Sequence, residues 1–311
     1  MNTTPDKCPV CHSTHIALWS IARDYEYFSV LEEFSYFGCH DCDSIFIHPV
    51  PAGKLSVIYP ANYYSFVNKG RNIVVKLKEW LDRLFFKKIL RRLPGDKLNV
   101  LDVGGGTGWM LSLLRTADHR IQFTQSVDID AAARTEAEAN GHAYFEGTIE
   151  QFQTSRKFDL ILMLNLVEHV KNPLAVLQKA ESLLTGNGVI VIKTPNTRSW
   201  DARLYKKSYW GGLHCPRHWV IFSEKSFRLM LRSTTLQIKK LAYTQGAPFW
   251  AFSIIAALYR KRLVKISAQK PIIFHWLFAP LSACFALFDF LRRPFARTSQ
   301  MFIQLGKKQV N

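Results

Sequence analysis

The sequence predicts an α/β fold in which helices cover both faces of a doubly wound, mostly parallel sheet. Residues 100–111 read as an apolar strand, a glycine-rich turn and the start of an apolar helix. Residues 158–164 form a continuous apolar run, which is typical of a parallel strand buried on both faces. Two consecutive predicted strands end at the acids Asp102 and Asp128, and open α/β sheets bind their ligands at these carboxyl ends.

The glycine-rich turn has the composition of a backbone cradle for a nucleoside cofactor. Gly104, Gly105 and Gly106, with Gly108 two positions further on, lack the Cβ atoms that would hold a ligand away from the helix N-terminus. A dinucleotide fingerprint that starts at Gly104 requires glycine at position 109, which is Trp109. A P-loop requires a Gly-Lys-Ser/Thr ending, which the turn lacks. The remaining pattern is an acid followed by glycines at alternating positions.

That pattern resembles the class I S-adenosylmethionine (SAM)-dependent methyltransferases. Later segments resemble the same family in the same order: the strand that ends at Asp128, the N-L-V-E-H-V segment at 165–170, and a helix end, Gly-x-Gly turn and strand at 183–195. The resemblance implies a seven-stranded, Rossmann-like methyltransferase sheet. The residues that it implies for SAM binding are Asp102, Gly104, Gly105, Gly106, Thr107, Gly108, Asp128, Ile129, Thr148, Ile149, Asn165 and Leu166, with Asp130 as an alternative to Asp128.

Composition adds an expectation about partners. The chain has 311 residues, a formal net charge of +17 and a pI near 9.7. An excess of this size implies an anionic partner, which is a nucleic acid, a membrane surface or a phosphorylated substrate. Residues 1–7 are polar and show no signal-peptide pattern, so we expect a cytoplasmic protein.

Two C-x-x-C pairs near the N-terminus predict a structural zinc ribbon. Four thiolates at this spacing bind Zn²⁺ tetrahedrally and leave no open position. A disulfide is disfavoured in a reducing cytoplasm, and a redox pair normally opens a helix after a strand. The predicted ligands are Cys8, Cys11, Cys39 and Cys42, with His12 and His40 as possible substitutes.

Residues 71–93 predict a basic amphipathic helix between the cysteine-rich segment and the glycine-rich turn. Two interpretations are compatible with each other: a helix that covers the sheet before its first strand, and a helix that lies on a membrane surface. The apolar residues at near-helical spacing are Ile73, Leu77, Trp80, Leu81, Leu84, Ile89 and Leu93.

Residues 211–219 form an aromatic loop with two histidines, and this loop follows the strand predicted within 183–195. We expect the acceptor pocket at this loop. In-line methyl transfer needs alignment, plus a base when the acceptor is a hydroxyl or an amine. His169 is the first candidate base, and His214 and His218 are the others; alternatively, His169 orients the methionine end of the cofactor. Some ubiquinone-type O-methyltransferases bind a divalent metal near this segment, but Asn165 stands three positions before Glu168, which argues against a metal here.

Two apolar runs, 246–259 and 271–288, contain no Lys, Arg, Asp or Glu and flank the basic segment 260–265. The sixth strand is predicted at 236–243, and one true membrane crossing would separate it from the final strand, 301–307, which lies beside it. The runs therefore predict a helical lid over the acceptor pocket or an insertion that dips into one leaflet. We favour the leaflet because the basic flanks suit anionic headgroups, and Trp250, Trp276 and the phenylalanines suit the interfacial layer.

The predicted organisation is a zinc-ribbon-like segment (1–60), a basic helical region (61–97), a SAM-binding core (98–243), a hydrophobic helical insertion (244–298) and a final core strand with its tail (299–311). The first functional hypothesis is a SAM-dependent methyltransferase, peripheral on the cytoplasmic membrane face, with a small-molecule or lipid-linked acceptor such as a glycolipid, a quinone or a sugar intermediate. An RNA methyltransferase that holds RNA on the zinc ribbon and basic surface is the second hypothesis, and a non-catalytic SAM-fold module is the third. Nucleic acid is less favoured because much of the excess charge borders apolar runs.

Overall fold

The computed structural model describes residues 4–60, 73–207, 209–295 and 297–308. Its N-terminal part is an antiparallel sheet followed by a short helix and a long one. These elements are β1 (Ile16–Ala22), β2 (Phe34–Cys39), β3 (Ile45–Ile47), α1 (Leu55–Ile58) and α2 (Ile73–Leu90).

The core is the predicted doubly wound sheet, which confirms the fold class. The elements that follow α2 along the chain are β4 (Leu98–Val103), α3 (Trp109–Ala117), β5 (Ile121–Asp128), α4 (Ala133–Ala139), β6 (Ala143–Glu146), β7 (Phe158–Leu164), α5 (Pro173–Leu183), β8 (Leu184–Pro195), α6 (Trp200–Leu204), β9 (Val220–Ile221), α7 (Glu224–Met230), β10 (Leu236–Thr244), α8 (Ala247–Arg260), α9 (Phe278–Arg292) and β11 (Gln300–Lys307). Within the described residues, seven strands pair in the order β10-β11-β8-β7-β4-β5-β6. The five strands from β8 to β6 in this order are parallel to one another, and β11 is antiparallel to both of its neighbours.

Helices cover both faces of this sheet, as its apolar strands require. Val100 and Leu160 share one hydrophobic cluster with side chains of α2 and α3. Leu101 and Ile161, their chain neighbours, belong to the cluster that contains α5 and α7. Because successive strand residues face opposite sides, both layers demand apolar residues, and the run at 158–164 is continuous for that reason.

The Gly-x-Gly turn predicted at 186–188 is instead part of β8. Phe158 pairs with Leu184 and Leu160 pairs with Val189, so the register shifts between these positions. The prediction was wrong because the extra residues are accommodated as an irregularity of the β7–β8 ladder, where glycines are well tolerated.

The N-terminal sheet is completed by the core. In the order β1-β2-β3-β9, its last strand comes from the loop after α6. Ile45 pairs with Ile221 and Phe46 with Val220, both antiparallel. The two parts of the chain are therefore joined by backbone pairing as well as by side-chain packing.

The apolar face of α2 differs from the predicted one. Ile89 and Leu93 are buried as expected, but so is Phe86, and the Phe85 ring packs edge-on against Phe302 at 4.5 Å. Among the side chains of this helix that the structure describes, those of its C-terminal turns pack on the sheet, so the predicted apolar stripe included residues that are not buried. The predicted residues that prove exposed are Trp80, Leu81 and Leu84. The side chains of Ile73 and Leu77, and residues 71–72, lie outside the described part.

The predicted insertion between β10 and β11 forms two packed helices with different surroundings. Helix α8 buries Trp250 and Phe252, and its Ser253 Oγ accepts a 2.8 Å hydrogen bond from the Gly211 amide of the histidine-bearing loop. Helix α9 leaves Phe290 and Leu291 more than 60% exposed. Among the helices that the structure describes, none has both the length and the apolar character to cross a bilayer.

Candidate active site

The glycine-rich turn joins β4 to α3 at the carboxyl end of the sheet. Gly104, Gly106 and Gly108 have φ values of 75°, 49° and 76°, in the left-handed region that favours glycine. The Gly106 amide donates a 2.8 Å hydrogen bond to Asp128 Oδ2. The turn and the end of β5 therefore form one connected edge.

Close contacts distinguish the glycines that shape the turn from the one that leaves room beside it. A Cβ on Gly105 would lie 2.9 Å from the Cβ and Cγ atoms of Asp102, so that backbone must remain bare. A Cβ on Gly106 would meet nothing closer than Asp128 Oδ2, at 3.9 Å. Open space beside a bare backbone is what a cofactor cradle requires, and the residues present fit the expected SAM site.

The two predicted acids lie at this edge in an environment that disfavours their charged forms. Asp102 is 4% exposed, and burial together with nearby Asp128 raises its pKa to about 8. Burial also raises the pKa of Asp128, even though its Oδ1 accepts the Asp130 amide at 3.0 Å. Ligand groups that donate hydrogen bonds or carry positive charge would lower both pKa values.

The other predicted cofactor residues differ in exposure. Ile129 is 60% exposed beside Asp128, and Thr107 is half-buried. Thr148 is exposed, whereas the Ile149 side chain is 2% exposed and belongs to the hydrophobic core. Thr148 and Ile129 are thus exposed, whereas Ile149 packs in the core.

Asn165 and Leu166 follow β7 and lie next to the turn. Asn165 has a φ of 55°, and its amide donates to the Lys193 carbonyl at 2.8 Å. Leu166 Cδ1 would lie 3.1 Å from a Cβ on Gly104, so this side chain packs directly against the turn. The segment that carries Glu168 therefore begins at the cradle.

Glu168 is fully buried, and neither carboxylate oxygen reaches hydrogen-bond geometry with a described residue, the nearby Thr194 hydroxyl included. Burial raises its pKa to about 8. His218 Nε2 lies 4.0 Å from Oε1, and donor atoms of Glu168, His169 and His218 lie within 4.8 Å of one another. This spacing would allow a shared proton or cation, but Asn165 supplies no further negative charge.

The three candidate bases lie together. The ring centroids of His169 and His218 are 4.6 Å apart, and that of His214 lies 5.1 Å from His218 and 6.2 Å from His169. Burial lowers the pKa of His169 to about 3 and that of His218 well below its ordinary value. Both rings are therefore neutral near pH 7, and their lowered pKa values make them weak bases. The Tyr59 hydroxyl, which the sequence did not single out, lies 2.9 Å from His169 Nδ1.

The loop with His214 is held by two acids of the N-terminal segment that sequence reasoning missed. Asp24 Oδ2 accepts a 2.8 Å hydrogen bond from Arg217 Nη2, and Glu26 Oε2 lies 2.5 Å from His214 Nδ1. Each acid is 1% exposed. Burial alone would raise the pKa of Asp24, but the charge and hydrogen bonds of Arg217 lower it. The pairs are 193 and 188 positions apart, and the sequence signal is only two acids among the aromatics of residues 24–28.

The four predicted zinc ligands form a second cluster, with thiol sulfurs within 4.8 Å of one another. The Sγ atoms of Cys8 and Cys42 are 3.6 Å apart, and those of Cys11 and Cys39 are 3.5 Å apart. All four thiols are free. Tetrahedral Zn–S bonds of about 2.3 Å place sulfurs roughly 3.8 Å apart. A hydrogen bond from Cys42 lowers the pKa of Cys8 to about 5, and the same hydrogen bond raises the pKa of Cys42. The two sulfurs thus share one proton, and a divalent cation that binds both would take its place.

The family model described as "Methyltransferase domain" matches residues 76–241. The mitochondrial ubiquinone biosynthesis O-methyltransferase of Dictyostelium discoideum is 32% identical over 165 residues, which are 47% of this chain and 48% of the relative. The ubiquinone biosynthesis O-methyltransferase of Paramagnetospirillum magneticum is 31% identical over 157 residues, which are 48% of this chain and 63% of the relative. The chain thus spans about half to just under two thirds of these curated relatives. The structure of coclaurine N-methyltransferase with N-methylheliamine and SAH matches with a TM-score of 0.52 at 12% identity. The match covers 84% of this chain and 80% of that chain, and it shows a similarity of fold alone.

Proposed function

Because the chain belongs to the methyltransferase domain family, we propose that it transfers the methyl group of SAM to a hydroxyl group of a small-molecule acceptor. The observation that carries the proposal is the adjacency of cradle and histidines: Leu166 packs on the turn at Gly104, and His169 follows three positions later. In the reaction the S–CH₃ bond breaks as the O–CH₃ bond forms, and a histidine takes the hydroxyl proton. The products are S-adenosylhomocysteine (SAH) and a methyl ether.

The proposed acceptor class is a phenol of the quinone-precursor type, free or lipid-linked. Two curated relatives are named for ubiquinone biosynthesis. Aromatic rings surround the histidines: the Tyr27 ring lies 6.4 Å from that of His214, and Tyr59 bonds to His169. Such surroundings suit an aromatic acceptor, which packs edge-on or offset against neighbouring rings.

The test uses purified full-length protein and two acceptors in parallel. Calorimetry with SAH measures cofactor binding, and transfer of a tritiated methyl group from SAM is measured with 3,4-dihydroxybenzoate as a catechol probe and with total RNA. We expect SAH binding and label in the catechol. Label in RNA alone would support the second hypothesis, and SAH binding without transfer to either would support a different acceptor class. An absence of SAH binding would overturn the proposal.

We also propose that the four cysteines bind one structural Zn²⁺. The tetrahedral spacing of the thiols supports this, and neither His12 nor His40 belongs to the cluster. Metal analysis of the purified protein should give one zinc per chain, and Co²⁺ substitution should produce the absorption bands of a tetrathiolate site. Cys39→Ser should lose the metal, whereas Cys284→Ser, at an exposed cysteine, should keep it. Zinc retained in Cys39→Ser would contradict the assignment.

A further proposal concerns location: helix α9 and its flanks dock on the cytoplasmic face of an anionic membrane. In segment 263–295 large apolar side chains are exposed, and basic residues border them, including Arg293, whose guanidinium carbon lies 5.9 Å from the Phe290 ring centroid. Exposed apolar side chains with basic neighbours suit the headgroup layer. The exposed apolar residues are Leu263, Phe274, Trp276, Leu287, Phe288, Phe290, Leu291 and Phe295.

Flotation with phosphatidylglycerol vesicles and with neutral phosphatidylcholine vesicles tests the docking surface. The wild-type chain should float with the anionic vesicles. A triple variant, Phe290→Ser, Leu291→Ser and Phe295→Ser, should stay in solution. Leu31→Ser serves as the control because Leu31 is 85% exposed but lies in the N-terminal segment. Equal flotation of the triple variant and the wild type would remove this surface from the proposal.

A further inference from the structure

We infer that Glu26 is the positioning residue that makes His214 the general base, in preference to His169 and His218. The inference rests on the proposed function, since a base is needed when the acceptor is a hydroxyl group. It assigns a direct part in the reaction machinery to the N-terminal segment, because Glu26 lies between β1 and β2 and outside the methyltransferase core.

The three histidines differ in what their Nδ1 atoms contact. His169 Nδ1 lies 3.1 Å from the Arg217 carbonyl oxygen, and His218 Nδ1 lies 2.8 Å from the Gly212 carbonyl oxygen. In the part of the chain that the structure describes, His214 is the one of the three whose Nδ1 meets a carboxylate, at 2.5 Å. A carboxylate stabilises the imidazolium that forms when a base takes a proton, and a neutral carbonyl does so much less.

Glu26 is itself fixed on both oxygens. The Tyr209 hydroxyl donates a 2.7 Å hydrogen bond to Oε1, while Oε2 accepts the His214 Nδ1 hydrogen. Tyr209 is fully buried, so the carboxylate has neither water nor rotational freedom to compensate for loss of its histidine partner. The hydrogen bond fixes the His214 tautomer with the proton on Nδ1, and Nε2 is then the atom that accepts the acceptor's proton.

The charges around His214 agree with this role. Among the residues that the structure describes, the Glu26 carboxylate and the rings of His169, His218 and Tyr27 contact His214, and the Arg217 backbone amide donates to the His214 carbonyl oxygen. The Arg217 charge is balanced by the buried carboxylate of Asp24, 2.8 Å away. Burial keeps His169 and His218 neutral by lowering their pKa values. Of the groups described around His214, Glu26 therefore supplies the negative charge that stabilises its protonated ring.

The test compares Glu26→Gln with Glu32→Gln. Glutamine preserves the size of the side chain but removes its charge. Glu32 lies in the same N-terminal segment, is 42% exposed and pairs with Lys54, so its variant controls for substitution in this segment. Histidine-ring NMR, with the His214 signal assigned through His214→Gln, measures the pKa of His214 in each protein. We expect Glu26→Gln to lower that pKa by about one unit or more and Glu32→Gln to leave it unchanged.

Catechol methylation gives the second measurement. In Glu26→Gln we expect kcat to fall about 10- to 100-fold with KM nearly constant. The acid limb of the kcat profile should move to lower pH, because a base of lower pKa is already deprotonated there. A role in folding alone would lower the melting temperature without moving that limb.

Failure of the inference and failure of the proposed function give different results. An unchanged His214 pKa in Glu26→Gln overturns the inference whether or not the catechol is methylated. If the wild type does not methylate the catechol, the acceptor class is wrong, and the NMR comparison still decides whether Glu26 controls His214. Glu26→Asp retains the charge, so its His214 should titrate as in the wild type if the inference is correct. A change in that titration would mean that only the shape of glutamate matters. The same variant covers the case in which Glu26→Gln does not fold.

Discussion

The cofactor side and the proposed acceptor side of the site are assembled in different ways. The cofactor side comes from consecutive strand ends, with Asp102, the glycines after it and Asp128 all within 27 consecutive positions. The proposed acceptor side joins Glu26, Tyr59, His169 and the loop at 211–219, with contacts across as many as 193 positions. The cofactor side is therefore local and depends on backbone shape, whereas the acceptor side depends on correct docking of the N-terminal segment.

Removing the proposed zinc should separate the two sides most strongly. Structural zinc contributes on the order of 10 kcal/mol to segments that depend on it. Chelation with phenanthroline under mild conditions should release the segment that carries Asp24 and Glu26, abolish methyl transfer and lower the melting temperature. SAH binding measured by calorimetry should persist, because the turn is held by its own contact with β5, in which the Gly106 amide donates to Asp128 Oδ2. Equal loss of SAH binding would show that the sides are not independent.

Gly108→Ala should damage the cofactor side and leave the zinc cluster intact. The new Cβ would lie 2.3 Å from His142 Cδ2, and Ser112 and Thr124 each hold a ring nitrogen of His142 at 2.8 Å, so the ring has no room to move. Overpacking and the left-handed φ together should lower the free energy of unfolding by about 3 kcal/mol. Urea denaturation measures it, and Gly186→Ala, with nothing within 4 Å and no positive φ, is the matched control that should remain near wild type.

Glu168 stands at the border of the two sides, and its titration should appear in stability. Because its folded pKa, about 8, lies above the unfolded value, the unfolded chain loses the proton first, and stability falls as pH rises from about 4.5 to 8. Glu168→Gln lacks this loss, so its stability relative to the wild type should grow by roughly 3 to 4 kcal/mol between pH 5 and pH 8. Denaturation at pH 5 and pH 8 tests this, with exposed Glu150→Gln as the control. A constant difference would mean that Glu168 is already ionised in the folded protein.

Asp128→Asn should produce the smallest of these effects, a change in cofactor affinity with the fold retained. Loss of a charge-assisted hydrogen bond of about 1.5 to 3 kcal/mol corresponds to roughly 10- to 100-fold weaker SAH binding. Asp130→Asn, at the alternative acid, should bind SAH nearly as well as the wild type. The reverse order of affinities would transfer the ribose contact to Asp130.

The difference between the sides also explains what the sequence revealed. The sheet, the glycine turn and the cysteine cluster follow from short-range patterns whose physical cause is local: strand burial, a bare backbone and ligand spacing. Glu26 and Asp24 have no such pattern, because their roles exist only once β9 pairs with β3. The predicted apolar face of α2 was partly wrong for a related reason. Helical spacing identifies which side of a helix is apolar, but it does not show how much of the helix packs against the sheet.

The pairing of β3 with β9 limits how the protein can be divided. A shortened chain that begins after residue 60 would leave Val220 and Ile221 without the backbone partner β3, and it would remove the Asp24 carboxylate from Arg217. A strand edge without its partner is a template for pairing with other chains. The catalytic core is thus not a portable module, and attempts to express it alone, or to graft the cysteine-rich segment onto another enzyme, should yield aggregates unless this two-residue strand travels with its partner.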